Sequence, residues 1–211
     1  MNSTDSVSFD LIMFEPGFSD SPTVYENLPD TFKVVSGLRF NASYYWQVRA
    51  KAPSGEVYSQ TRSFHTPSLP SNQILFSQET NEVLQLFIGD SLMETPVQFT
   101  YNKHHSWNAR VSPGKTAISF QSSRDVESRL YLMNMDGGNT QRVTDFQTGG
   151  YFHQKIEYDW APNGASLVFT SYDNLYRINP DGSALQVIAK APDGKHFREV
   201  VYGPDGDAIY V

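Results

Sequence analysis

Three stretches of the chain share one plan. They are Asn108-Ala-Arg-Val-Ser-Pro-Gly-Lys-Thr-Ala-Ile-Ser-Phe120, Glu157-Tyr-Asp-Trp-Ala-Pro-Asn-Gly-Ala-Ser-Leu-Val-Phe169 and Val200-Val-Tyr-Gly-Pro-Asp-Gly-Asp-Ala-Ile-Tyr-Val211. Each passes from an apolar strand through a Pro/Gly turn into a second apolar strand. Pro113, Pro162 and Pro204 mark the turns, at steps of 49 and 42 residues. A repeat of roughly 40–50 residues built from short strands is the mark of a β-propeller blade or a related array. One blade cannot bury both of its faces alone, so copies must stack face to face.

Composition agrees with an all-β chain. Hydrophobic residues make up 39% of the 211 and aromatics 14%, enough for a packed core, and the 18% of charged residues is too low for a disordered chain. Tyr and Phe, at 12 and 14 copies, favour strands. The net charge of −7 has no basic stripe within it, which argues against a nucleic-acid partner. The absence of cysteine excludes disulfides, thiol catalysis and thiolate metal sites. No apolar run approaches the ~20 residues of a membrane-spanning helix. Met1-Asn-Ser-Thr-Asp-Ser6 does not read as a signal peptide.

Residues 1–66 read as a separate module. Val7, Phe9, Leu11 and Met13 alternate with more polar positions as a strand with one buried face. Thr23–Glu26 and Thr31–Val35 are short strand candidates. Tyr44, Trp46, Val48 and Ala50 alternate in turn, Pro53-Ser-Gly55 reverses the chain, and Val57–His65 returns as a further strand. The run Leu38-Arg-Phe-Asn-Ala-Ser-Tyr-Tyr-Trp-Gln-Val-Arg-Ala50, followed by Gly55 and Ser63-Phe-His-Thr66, resembles a bacterial fibronectin type III module. The resemblance implies a β-sandwich in which Leu38 and Tyr44 form a tyrosine corner, the Tyr hydroxyl bonding back to backbone. About five strands fit, fewer than the seven of such a sandwich. Residues 67–72, Pro-Ser-Leu-Pro-Ser-Asn, form a stiff linker.

Residues 73–211 hold the repeats. Ile74-Leu-Phe76, Ile118-Ser-Phe120, Leu167-Val-Phe169 and Ile209-Tyr-Val211 recur at steps of 44, 49 and 42. A following strand recurs as Leu84–Ile88, Leu130–Met133 and Leu175–Ile178. Turns at Gly89-Asp90, Asn134–Gly138 and Asn179–Ser183 come next, with Asp-Gly supplying the positive φ in the last two. A weaker outer strand closes each copy, as in Gln141–Thr144 and Leu185–Ile188. The unit Ser-Pro-(Asp)-Gly-Lys … Ile-x-Phe-x-Ser … Leu-Tyr-x-x-Asn-x-Asp-Gly resembles the WD-like repeat of TolB-like β-propellers. The Val111–Thr144 copy lacks the Asp between Pro113 and Gly114.

The fold expectation is therefore all-β: an incomplete fibronectin-like sandwich followed by about three blades of a TolB-like propeller. Propellers close with ~4–8 blades, and the last copy stops within a strand. The expected reading is a portion of a longer protein, its other blades coming from the rest of that chain or from another copy. The paired resemblances imply a non-catalytic scaffold of the bacterial envelope or cell surface, periplasmic or extracellular, that binds a protein or glycan on the propeller face. Proteins similar to TolB dock envelope lipoproteins there.

Chemistry has three candidates. His105, His153 and His196 lie 8, 9 and 8 residues before their prolines, one per copy, at the loop leading to the innermost strand. Three imidazoles on one face could hold a divalent metal, as in propeller lyases that act on pectin fragments. A repeated histidine at this place more commonly hydrogen-bonds within its own blade, so no metal or other cofactor is assigned. The Asp136-Gly-Gly-Asn139 and Asp181-Gly-Ser183 turns lack the spacing of an EF-hand loop. Propellers of this type also precede the catalytic domain of prolyl-oligopeptidase-like hydrolases, but no Gly-x-Ser-x-Gly elbow occurs here, and no catalytic residue is assigned. Trp160 and Tyr202, two residues before their prolines, read as blade-to-blade packing. Tyr151 and Phe152, after Gly149-Gly150, are the preferred binding residues, with His105, His153 and His196 as further candidates.

Overall fold

A computed structural model describes residues 7–17, 21–69, 74–90, 96–149 and 158–211. The chain divides into two compact units, Met1–Leu69 and Pro70–Val211.

The first unit is one antiparallel sheet made of β1 (Ser8–Phe14), β2 (Thr23–Tyr25), β3 (Ser43–Ala52), β4 (Gly55–Tyr58) and β5 (Arg62–His65). The order is β2-β1-β3-β4, and β5 also pairs with β3. The expected single strand over Val57–His65 is thus two, each paired with a different half of β3. Thr31–Val35 is not a strand. It has no pairing partner, and Phe32 and Val34 are 71% and 77% exposed.

Alternation along β1 and β3 sorts the two faces. Leu11, Met13, Ala42 and Tyr44 form the core of one face, with Leu28, Val35, Leu38 and Trp46 packed on them. The other face carries Asp10, which is fully buried, at 0% exposure. It accepts hydrogen bonds from Asn27 N (2.9 Å) and Arg49 Nε (2.9 Å) and lies 3.0 Å from Lys51 Nζ. Chiefly the Asn27 amide, with Arg49 and Lys51, lowers its carboxyl to about 2. Tyr44 behaves as the sequence expected: its hydroxyl accepts a bond from Arg39 N–H at 3.0 Å, five residues back. The described strands nevertheless form a single sheet rather than a two-sheet sandwich.

The second unit is a row of antiparallel sheets. The first contains β6 (Ile74–Thr80), β7 (Val83–Gly89) and β8 (Val97–Gln98). The second contains β9 (Ser106–Val111), β10 (Ala117–Asp125), β11 (Glu127–Asn134) and β12 (Gln141–Arg142). The third contains β13 (Tyr158–Trp160), β14 (Leu167–Ser171), β15 (Asn174–Ile178) and β16 (Gln186–Lys190). The fourth contains β17 (Val201–Tyr202) and β18 (Ile209–Tyr210). The second and third sheets are simple four-stranded meanders, the unit expected from the repeat.

Stacked aromatic pairs set the equivalence of the copies. Phe76 stacks on Phe87 (5.9 Å), Phe120 on Tyr131 (5.7 Å) and Phe169 on Tyr176 (5.3 Å). Leu86, rather than Leu84, therefore corresponds to Leu130 and Leu175. The backbone N–H groups of Leu86 and Leu130 bond to the hydroxyls of Thr100 and Thr144, at 2.9 and 3.1 Å.

The turns repeat with the same economy. Lys115, Gly164 and Gly206 each donate from N–H to the residue before the proline, at 2.8, 2.8 and 2.9 Å. All three have left-handed φ, at 53°, 72° and 78°. In the second sheet the glycine stands one place early, at Gly114, and a lysine takes the left-handed position. The Asp-Gly turns also match. Gly137 and Gly182 have φ of 80° and 84°, while Asp136 and Asp181 accept from the N–H two residues on, at 3.0 and 2.9 Å. These carboxylates are engaged in holding their own turns.

Adjacent sheets are tied through their inner strands. Trp160 Nε1 donates to Ser119 Oγ (2.7 Å), and the Tyr158 hydroxyl donates to Asn108 O (2.7 Å) and sits 3.0 Å from Ser119 Oγ. Burial pushes the Tyr158 phenol well above its usual range. Tyr202 OH lies 3.3 Å from Ser166 Oγ of the third sheet. Trp160 and Tyr202 thus join neighbouring sheets, as their position before the prolines suggested.

Candidate functional site

In an antiparallel meander, the turn between the second and third strands lies at the same end as the link to the next sheet. Among the described residues, that end holds His105 and His196 of the sequence candidates. The turns are Asn81-Glu82, Asp125-Val126 and Tyr172-Asp173. The links are the segments before β9, β13 and β17.

The turns are conformationally unusual. Asn81, Glu82, Val126 and Tyr172 have φ of 51°, 65°, 76° and 52°. A left-handed β-branched residue is an outlier among L-residues. Val126 is one, and it is 91% exposed. Its neighbours hold it there. The Arg124 guanidinium lies over the Tyr131 ring at 4.5 Å and the Phe120 ring at 5.3 Å. Asp125 accepts from the Tyr131 hydroxyl (2.5 Å) and pairs with Arg142 (3.2 Å), which also reaches Asp145 (2.7 Å). Burial first, then the Asp125 bond, pushes the Tyr131 phenol up to about 12. The flank before the tip is pinned while the tip projects an apolar side chain into water.

Tyr172 is the corresponding tip of the third sheet. It is 45% exposed, its hydroxyl donates to Gln147 Oε1 (3.2 Å), and its N–H bonds to Gly149 O (2.5 Å). Gly149 also donates to Thr170 O (2.8 Å), so the link leaving the second sheet is laced to the third. Tyr101, in the link before β9, is 48% exposed.

Two of the three histidines reach back to the preceding sheet. His105 Nδ1 accepts from Leu84 N (3.1 Å), at the start of β7, while its carbonyl accepts from Ser122 Oγ (2.8 Å) and Ser123 N (3.1 Å). His196 Nδ1 lies 2.6 Å from Asp173 Oδ1. Each imidazole is engaged with the turn region of the sheet before it, and the bond crosses from one sheet to the next at His105. Tyr151, Phe152 and His153 lie outside the described residues. Among the described residues, no group of three His, Asp or Glu side chains has the arrangement of a metal site.

Sequence reasoning missed Val126 and Tyr172. Their signal is weak: a turn with neither glycine nor asparagine between two well-marked strands. It also missed the inner-strand chain in which Arg110 Nη1 pairs with Asp159 Oδ1 (3.1 Å) and Asp159 Oδ2 accepts from Tyr202 N (2.9 Å). The acceptor on the third sheet thereby serves both the second and the fourth.

No family model matches the chain. An uncharacterized protein of Agrobacterium fabrum is 26% identical over 131 residues, which cover 56% of this chain and 42% of that protein. TolB from Acinetobacter baumannii superposes with a TM-score of 0.53 at 14% identity, over 79% of this chain and 48% of that one. A TolB candidate from Agrobacterium tumefaciens superposes with a TM-score of 0.51 at 16% identity, over 97% of this chain and 98% of that one. The chain spans less than half the length of the curated relative and of the first of these structures. At such identities the agreement is one of fold. The chain is all-β, and its structural neighbours are TolB-like propeller proteins.

Proposed function

We propose that the protein is a non-catalytic scaffold of the bacterial envelope or cell surface that docks a protein or glycan on the loop-bearing end of its blades. The observation that carries this reading is Val126. The Val126 N–H holds its own turn by a bond to Ser123 O (3.0 Å), but its 91% exposed side chain buries almost nothing in the folded chain. Strain of this kind persists where the surroundings hold it, and it gathers at sites of recognition. Tyr172 and Tyr101 add half-exposed aromatic surface at the same end, the residue type that anchors protein and sugar contacts. The resemblance of the repeats to TolB-like propellers supports an envelope location and a propeller-face partner.

The test compares V126N/Y172A with D205A, which changes an exposed residue of the opposite turns. Both are presented to solubilised bacterial envelope proteins and to a glycan array. A partner captured by wild type and D205A but lost by V126N/Y172A supports the reading. Equal capture by all three removes it, and so does turnover of oligogalacturonate or peptide by the purified protein.

A further inference from the structure

The Pro-containing turn of the third sheet holds a peptide bond that can rearrange. Asn163 is the one asparagine of the sequence that is followed by glycine. With no side chain on the glycine to shield it, a main-chain nitrogen can reach the carboxamide carbon of the residue before it. Gly164 N then bonds to Asn163 Cγ, the Cγ–Nδ2 bond breaks, and ammonia leaves, its third proton coming from the Gly164 amide by way of solvent base. Water opens the resulting five-membered imide. Attack at Cγ restores the main chain and leaves aspartate at 163. Attack at the main-chain carbonyl leaves isoaspartate, in which the chain runs through Cβ and Cγ. Nothing is oxidised or reduced. Asn163 is exposed, so water and base reach it.

The folded turn opposes the first step. Gly164 N–H donates to Ala161 O (2.8 Å), and Ala161 N–H donates to Ser166 O (2.9 Å). The Asn163 carboxamide is held as well, its Oδ1 accepting from Ala165 N–H (2.9 Å). Gly164 N has to leave Ala161 O before it can lose its proton and turn onto Cγ. The matching turn of the fourth sheet shows that aspartate fits this place. There Asp205 stands between Pro204 and Gly206, and the same two bonds close, Gly206 N–H to Gly203 O (2.9 Å) and Gly203 N–H to Ala208 O (2.8 Å). Isoaspartate does not fit, because it adds a main-chain atom inside both hydrogen-bonded rings. The fourth sheet's turn also packs on this one, since a Cβ on Gly206 would lie 3.4 Å from Pro162 Cδ.

We propose that Asn163 is a self-modification site guarded by its own turn. While the turn is closed the asparagine persists. When the turn opens it deamidates, and the isoaspartyl product cannot close the turn again. A transient opening of the third sheet is thereby made permanent, and the fourth sheet loses its contact with Pro162. This turn lies at the end opposite the docking loops, so either reading can fail without the other.

The test follows residue 163 by peptide mapping and isoaspartyl methyltransferase labelling during incubation in mildly alkaline buffer. Three samples are compared: the folded 211-residue chain, the same chain in guanidinium chloride, and a peptide copying Glu157–Phe169. The peptide and the unfolded chain should convert at similar rates, and the folded chain at least about tenfold more slowly, a ratio set by the free energy of opening. Chain aged in denaturant is then refolded, with unaged chain taken through the same steps as the reference. Amides of residues 161–166 should exchange about tenfold or more faster in the isoaspartyl form. N163D, expressed directly, should exchange them at the wild-type rate. The proposal is overturned if the folded chain converts as fast as the peptide or the peptide does not convert. It is equally overturned if the isoaspartyl form keeps the reference protection, or if N163D loses it.

Discussion

The misplaced glycine of the second sheet gives a prediction whose size follows from the turn geometry. At the first Pro-containing turn, Gly114 sits in an ordinary conformation and Lys115 takes the left-handed one at φ 53°. The other two turns put glycine there, at Gly164 and Gly206. The double substitution G114N/K115G copies the Pro162-Asn-Gly164 order. A left-handed L-residue costs roughly 1–2 kcal/mol, and glycine removes that cost. One glycine is lost and one gained, so the unfolded-chain entropy nearly cancels. Space is available, because a Cβ at position 114 would meet nothing nearer than Thr116 Cγ2 at 3.9 Å. Lys115 is exposed, so little packing is lost. The net gain is about 1 kcal/mol, or a Tm rise of about 2–4 °C in the transition of the second unit. Differential scanning calorimetry reads it directly. K115G alone should gain less, since it adds a flexible residue to the unfolded chain. A double variant no more stable than wild type would refute the argument that strain, rather than composition, distinguishes this turn.

Four further outcomes are expected. S119A leaves Trp160 Nε1 without the Ser119 acceptor in a buried joint, and should cost about 1–3 kcal/mol in urea unfolding; no measurable loss would mean that the joint is wet. G182A should destabilise by about 2 kcal/mol or more, because φ is +84° and the new Cβ would lie 3.1 Å from Val143 O; thermal unfolding tests it. V126G should leave stability within about 1 kcal/mol of wild type while abolishing capture of the partner, since the relief of strain is offset by the flexibility added to the unfolded chain; a larger loss would show that the valine packs. The stabilising contribution of Asp10, whose folded carboxyl lies at about 2 against an ordinary 3.8, is present above that ordinary value. It is lost as pH falls through this window, so D10N should flatten the stability of the first unit between these two values; an unchanged acid slope would remove Asp10 as its source.

Sequence alone determined the repeat, its period, the all-β class and the places of the turns. Each depends on short-range chemistry: alternation within a strand, and left-handed φ at Asp136-Gly137 and Asp181-Gly182. The bond from Arg39 N–H to the Tyr44 hydroxyl was expected from the fibronectin-like resemblance alone, and it joins residues only five positions apart. The Thr31–Val35 strand was misread because alternation cannot say whether an edge is free to receive it. Only the tertiary structure decided what long-range pairing controls. It placed His105 and His196 on the preceding sheet, set Asp159 between Arg110 and Tyr202, and strained the tip at Val126. Those contacts join residues tens of positions apart, and a strand's own letters do not record which neighbour lies beside it.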